Sequence, residues 1–439
     1  MPLTANANAL VLRQVRVIDV EKLSEPRAAD VTIENGKIIA IAAPGEGAKE
    51  GARVIDGAQR YLIPGLAEMH AHLPVNAGQR AMTEDQLKLY VANGITNIRS
   101  MLGDPWHLKL RSELAAGTVL GPRLFAGAPS LNGNTAPDPP TGARLAREYA
   151  AAGFDFLKLH PGLKREVFDA IAKAADEAHI AFAGHVSQAV GIERALEARY
   201  SVIDHLDGYL EGLADPKCRQ HRTPGFFGLG LLDCMDVARI RPLVERTLQA
   251  GTWNVATESF LIGFAHPPTD VQALRARPDM KYLPPATAPN WIDARARFAG
   301  ASPPTAAQFE RFLDLRRQLI RALYAAGAPL LVGSDAPQIF NVPGFSAHDE
   351  LTALVKAGMP AHAVLQAATA NVARHFKREG EFGVIAVGQA ADLVLLEGNP
   401  LESIDNTRRI AGVMVRGQWL DRAALDAMLA GVAARQASR

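Results

Sequence analysis

Apolar and polar positions alternate in short runs at both ends of the chain and are organised differently between them. Val11-Leu12-Arg13-Gln14-Val15-Arg16-Val17-Ile18-Asp19 reads as a strand, and residues 31–41 carry Asn35-Gly36 between two apolar runs. Asn-Gly favours a tight hairpin, because both turn residues must take positive φ. The alternation returns in residues 391–396 and 410–419. Neither terminal segment can close a core alone. The pattern therefore predicts one small β-sandwich domain built from both chain ends, residues 1–62 and 383–439, finishing in a terminal helix.

Residues 63–382 show short apolar runs separated by Ala/Leu/Glu/Arg stretches of helical period. The strand candidates are 62–73, 96–100, 123–126, 156–159, 181–185, 202–206, 253–256 and 330–334, with helices such as 166–178 and 191–198 fitting between them. Strands alternating with helices predict an α/β fold, here a (β/α)8 TIM-like barrel rather than an open sheet. The spacing is regular as far as His205 and then breaks. Residues 207–252 and 257–329 are long insertions rich in Pro and Gly, which a barrel places at its C-terminal mouth.

Composition narrows the function classes. The chain has 439 residues, of which 48% are apolar and 21% charged, so disorder and fibrous repeats are excluded. A formal net charge of +1 gives no electrostatic reason to expect nucleic acid or an anionic membrane as partner. No stretch approaches the ~20 consecutive apolar residues of a membrane span. The start lacks the basic and apolar regions of a signal peptide, so the expected location is cytoplasmic, or periplasmic or secreted where a leader has been removed. Cys218 and Cys234 cannot build a disulfide framework or a cysteine-based zinc site. Any metal here must be held by histidine and oxygen.

The first chemical signal is Pro64-Gly65-Leu66-Ala67-Glu68-Met69-His70-Ala71-His72. Positions i and i+2 of a strand face the same way, so His70 and His72 aim two imidazoles into one space. His185, His205 and Asp335 each close a later strand candidate, at the strand end where a barrel carries its chemistry. Lys158 ends the fourth strand. A buried lysine beside divalent metals would be repelled, unless CO2 carboxylates it to an anionic carbamate whose two oxygens can bridge two metals.

With these residues assembled, the sequence resembles the amidohydrolase superfamily of metal-dependent hydrolases, and within it the prolidase-like and imidazolonepropionase-related branch. The resemblance rests on the lead into HxH, the order His70, His72, Lys158, His185, His205, Asp335, and the closing run Gly383-Val384-Ile385-Ala386-Val387-Gly388-Gln389-Ala390-Ala391-Asp392-Leu393-Val394-Leu395. Imidazolonepropionases keep one metal and lack the strand-four lysine, so Lys158 points to the binuclear, dipeptidase-like side. The resemblance implies two divalent ions, zinc in first place, with manganese, cobalt or iron also suited to these ligands. His70, His72 and Asp335 would bind one ion, His185 and His205 the other, and carboxylated Lys158 would bridge them. Asp335 would also act as general base and acid for a metal-bridging hydroxide that attacks the scissile carbonyl.

The expected activity is cleavage of an amide bond in a small molecule, a peptide or an N-acyl amino acid. The alternatives are a lactone, a cyclic amide or imide, or an organophosphate ester at the same centre, and a non-catalytic scaffold. Tyr209 is a candidate to donate its hydroxyl to the substrate carbonyl, as a tyrosine in this region does in similar dipeptidases, or else a wall aromatic. His160 shares a strand face with Lys158 and is read as a substrate contact or a hydrogen-bonding partner behind the metals. Glu258 would meet a cationic group or form a salt bridge. Related dipeptidases often carry a histidine after the third strand, where this chain has the amides Asn132 and Asn134. His348 and His362 are read as structural. A homo-oligomer is expected.

Overall fold

The computed structural model describes residues 9–47, 50–266, 270–299 and 304–438. Asn35 and Gly36 take φ of 51° and 74° and join the antiparallel strands Arg27–Glu34 and Lys37–Ala42, as the Asn-Gly turn requires. This hairpin lies at one edge of an eight-stranded sheet. From it the order runs through Leu10–Val17, Tyr61–Pro64, Leu393–Leu396 and Ile410–Val415 to Gln418–Asp421, with Arg53–Asp56 paired to Leu10–Val17. The two chain ends meet where Tyr61–Pro64 runs antiparallel to Leu393–Leu396, with Ile63 opposite Val394. Leu12, Val15, Val31, Leu62, Leu393 and Met414 bury their side chains together there. The hydrogen bonds run through all eight strands as one sheet, rather than the two separate sheets expected of a sandwich. The helix Arg422–Ala437 follows, and Arg435 ties it to Asp85.

Residues 62–73, expected as one strand, are divided at Pro64-Gly65. Tyr61–Pro64 belongs to the mixed sheet and Leu66–Ala71 to a parallel one. Gly65 is required at the division, since a Cβ there would lie 2.1 Å from Thr96 Oγ1.

Leu66–Ala71, Ile95–Ser100 and Arg123–Ala126 form a three-stranded parallel sheet. Phe156–Leu159, Ala181–Gly184, Val202–Asp204, Trp253–Val255 and Leu330–Leu331 form a five-stranded one. Parallel bridges link their margins, Gly127 to Phe156 and Leu131 to Leu159 at one side, Ala71 to Ala336 at the other. The amides of Ala128 and His72 donate across these two seams to Phe156 O at 2.9 Å and Ala336 O at 2.8 Å.

The intervening helices follow local rules. Pro139–Ala152 starts where the Asp138 side chain accepts from the Thr141 amide, and stops at Gly153 with φ 86°. Arg165–Glu177 buries Val167, Phe168, Ile171, Ala174 and Ala175 along one face. The insertions contain ordinary helices too, notably Ile240–Ala250 and Ala306–Ala325, the latter opened by a Thr305–Gln308 capping box. Cys218 and Cys234 are joined in a single disulfide. Among the described residues no helix is long and apolar enough to cross a membrane.

Candidate metal centre

Several strands stop short of the apolar runs that predict them, and the reason lies at the site. His205, Leu206 and Asp335 take φ of 62°, 51° and 68°, a left-handed backbone that cannot continue a ladder. Such a conformation costs a non-glycine residue about 1–3 kcal/mol, and it turns the side chains at the strand ends towards one another.

On the first parallel strand Glu68 supports this geometry. Its carboxyl receives the amides of His70 at 3.0 Å and Ser334 at 2.8 Å, and the Ser334 hydroxyl at 2.5 Å. Burial pushes Glu68 up to about 7, against the hydrogen bonds from Ser334 and His70. One carboxyl thereby ties the strand bearing His70 to the segment bearing Asp335.

Asp335 Oδ1 lies 2.8 Å from His72 Nε2 and 3.5 Å from His70 Nε2, while Oδ2 lies 3.9 Å from His205 Nδ1. Despite these approaches Oδ1 makes no hydrogen bond, and it is enclosed. Ligand atoms of His70, His205 and Asp335 all fall within 4.8 Å of one another. The donors converge on a shared space instead of bonding to each other. The His185 and His205 rings stack 4.6 Å apart, and His70 lies 4.5 Å from His205. Burial holds His70 and His205 well below the usual imidazole range, so each keeps a lone pair for a cation.

Lys158 is completely buried on Phe156–Leu159, and its Nζ has no hydrogen-bond partner. Burial lowers its pKa to about 8, with Asp204 and Asp335 pulling the other way. Gly184 makes room for it, because a Cβ there would sit 2.2 Å from Leu159 O and 3.0 Å from Lys158 Cδ.

A second layer orients the imidazoles. Asp207 Oδ2 meets His185 Nδ1 at 3.0 Å and the Val186 amide at 3.2 Å. Thr257 Oγ1 meets His205 Nδ1 at 2.9 Å. Asp204 Oδ1 faces His70 Nδ1 at 3.0 Å and accepts from Arg99 at 2.5 Å. Fixing one ring nitrogen leaves the other oriented for a metal. Pattern reading missed Asp204, Asp207, Arg99, Thr257 and Glu68. The run Asp204-His205-Leu206-Asp207, two carboxylates flanking a candidate ligand histidine, was the available signal.

Other residues singled out from the sequence lie elsewhere. Tyr209 is fully buried and its hydroxyl meets Thr247 Oγ1 at 3.0 Å, so it packs against the helix Ile240–Ala250 and does not reach the cluster. Glu258 takes the salt-bridge role, with Arg316 Nη2 2.6 Å from Oε1, both side chains buried. His160 Nδ1 meets Ser130 Oγ at 2.7 Å, and its ring lies 5.3 Å from His185. Burial, with Lys158 and His185 nearby, lowers His160 to about 2. Asn132 accepts the Asn134 and Thr135 amides, closing its own loop. With Asn134 and His160 it lines a hollow of about 490 Å³. His348 bridges Thr407 and the Asn93 carbonyl, and His362 meets Asp19 O, both structural contacts.

Above the cluster lies a cavity of about 820 Å³, whose walls include His185, His205, Asp335, Phe226, Phe227 and Phe260. The Phe227 ring is 5.3 Å from that of His205. Phe226 and Phe227 sit between the two disulfide-linked cysteines.

Comparison with known proteins gives the family and the fold. The model of the amidohydrolase family matches residues 61–420. The adenine deaminase of Bacillus pumilus (strain SAFR-032) is 32% identical over 107 residues, a match spanning 21% of this chain and 18% of the deaminase. Among solved structures, bottromycin amidohydrolase superposes with a TM-score of 0.71 at 24% identity, covering 97% of this chain and 90% of its own. A Xaa-Pro dipeptidase with bound methionine in the active site gives 0.68 at 20% identity, covering 94% and 100%. Molinate hydrolase gives 0.67 at 19%, covering 94% and 95%. At these identities the structural likeness is one of fold.

Proposed function

This chain belongs to the amidohydrolase family, and from that premise we propose that it is a metal-dependent hydrolase cleaving an amide bond in a small molecule, a peptide or an N-acyl amino acid. The observation that carries the reading is the convergence of His70, His72, His205 and Asp335 without hydrogen bonding at Asp335 Oδ1, beside the unpartnered amine of Lys158. Buried polar atoms left unsatisfied are costly, so this arrangement suits residues that a cation satisfies.

In this reading His70, His72 and Asp335 would hold one divalent ion and His185 and His205 a second, with zinc as the first choice. Such ions, when bound, acidify water and polarise a carbonyl. Lys158, as a carbamate, would supply anionic oxygens to these ions. Its neutral amine adds to the carbon of CO2 and releases one proton, leaving an anion with two oxygens. Burial favours the neutral amine that this addition needs. Asp335 takes the proton of the attacking water at its carboxylate and delivers it to the leaving amine. Phe226, Phe227 and Phe260 exclude water around the acyl group.

The reading treats the two parallel sheets as one (β/α)8 barrel, supported by the pairings at both seams, with residues 63–382 as the catalytic unit and 1–62 with 383–439 as its companion. It includes a homo-oligomer. The disulfide favours an oxidising compartment, which supports the periplasmic or secreted location over the cytoplasmic one.

Protein purified without chelators should hold close to two metal equivalents, and Lys158→Met should hold fewer and lose turnover while retaining its circular dichroism. A well-folded, metal-free protein, or a fully active Lys158→Met, would overturn the proposal. A screen pairing amides with lactones, cyclic imides and phosphotriesters assigns the bond.

A further inference from the structure

The cavity over the histidines continues sideways. Val186, Ser187, Gln188 and Glu211 line both it and an adjoining hollow of about 430 Å³ that extends past Pro216, Arg219 and Arg222. Glu211 stands at the junction, on the short helix Tyr209–Leu213 that follows His205. Its Oε2 is enclosed and receives no hydrogen bond. The overlying loop is fitted to this carboxyl. Gly228 takes φ 82°, and a Cβ there would lie 2.8 Å from Leu210 Cβ and 3.4 Å from Glu211 Oε2.

The charged groups around Glu211 are committed elsewhere. Asp207 accepts from Val186 and meets His185. Arg219 donates to the backbone carbonyl of Glu211 at 3.2 Å. Arg316 is engaged by Glu258, His205 O and Ala256 O. Burial and Asp207 push Glu211 up to about 7, with its own backbone amide, Arg316 and Arg219 opposing. Glu211 lines both hollows while its enclosed Oε2 takes no hydrogen bond from another residue, so the carboxyl is complementary to a donor brought by a ligand. The other wall is aromatic, with Phe226, Phe227 and Phe260, and ring faces also attract cations.

We propose that Glu211 determines substrate specificity by binding a protonated amine or guanidinium of the substrate while the scissile amide lies at the metal centre. The inference rests on the hydrolase reading and selects within it. Peptides with a free α-amine or a basic side chain fit, and N-acylated substrates with neutral side chains leave the carboxyl unmatched. The cation strengthens the hydrogen bond it gives to the carboxylate.

The test uses metal-loaded wild type and Glu211→Gln, which keeps size and removes charge. Matched substrates separate the two sources of the cation: a dipeptide with free α-amine against its N-acetyl form, and a lysine side chain against norleucine at the same position. Wild type should prefer the cationic member of at least one pair, and Glu211→Gln should shrink that preference about tenfold or more, chiefly through KM. An unchanged preference ratio, with both members losing activity equally, would assign Glu211 a structural role and overturn the inference. Should no amide be turned over, the hydrolase reading fails separately. Calorimetric titration with benzylamine against benzyl alcohol then still tests Glu211, since weaker benzylamine binding in the variant supports the inference and equal binding overturns it.

Discussion

Arg316 shows how much of the candidate metal centre depends on a residue outside the cluster of candidate ligands. Its guanidinium is fully buried on Ala306–Ala325. It donates from Nε to Glu258 Oε1 at 2.7 Å, from Nη1 to His205 O at 2.8 Å and from Nη2 to Ala256 O at 2.9 Å. Arg316→Met keeps the apolar stem and removes all of these bonds. Glu258, only 3% exposed, is then left as a buried carboxylate without its partner. Breaking one side of a buried ion pair costs about 3–5 kcal/mol, and each stranded carbonyl adds to that by about 1–3 kcal/mol before water enters. Against a net stability of about 5–15 kcal/mol, this removes a third or more. The released His205 carbonyl belongs to a residue held at φ 62°, so metal affinity should fall as well. Adding Glu258→Gln removes the stranded charge and should recover about 1–3 kcal/mol. Urea unfolding followed by tryptophan fluorescence, with metal content measured in parallel, reads both effects. If Arg316→Met unfolds within about 1 kcal/mol of the parent, or if the double variant is no more stable than the single, the buried-pair argument is wrong.

Three further outcomes are expected. Burial raises Glu350 from 4.5 to about 8, so the folded protein holds a proton that the unfolded chain gives up. Stability should therefore fall as pH rises from about 4.5 to about 8, and Glu350→Gln, which preserves acceptance from the Ser259 amide, should flatten that slope in urea midpoints taken across the range. An unaltered slope would show that Glu350 is ionised in the fold. The paired variant Cys218→Ser/Cys234→Ser should lose about 2–4 kcal/mol and raise KM more than it lowers kcat, because the bond staples the segment carrying Phe226 and Phe227. Unchanged kinetics would separate the staple from the cavity wall. Tyr209→Phe should leave the pH profile and kcat of amide cleavage intact and cost about 1 kcal/mol for the Thr247 hydrogen bond. A loss of kcat greater than tenfold would restore Tyr209 to the chemistry.

The candidate ligands were legible because each sits where its strand's apolar run stops. His70 and His72 follow from the period of two, and His185, His205 and Asp335 from their places after Gly184, Asp204 and Ser334. Tyr209 had two readings, and its buried hydroxyl on Thr247 favours the packed aromatic for a physical reason. Proximity in sequence to His205 says nothing of direction, and the left-handed turn at His205 and Leu206 swings the following helix so that Tyr209 faces Thr247. Glu258 had two readings, and its partner lies on a helix within an insertion whose packing carried no sequence signal.

From the chain alone came the alternation of strands and helices, the Asn35-Gly36 hairpin, the meeting of both chain ends in β structure, and the identity of the residues able to hold a cation, whereas the union of those ends in one continuous sheet did not. These follow from local periodicity and from side-chain chemistry, which act over a few residues. Tertiary structure alone decided that Nδ1 is the occupied nitrogen of His185 and His205, that Lys158 Nζ is left without a partner, that Arg316 holds the carbonyl of His205, and that Cys218 and Cys234 close the loop over Glu211. Those facts depend on burial and on distances between segments far apart in the chain, and such distances exist only once the core has packed.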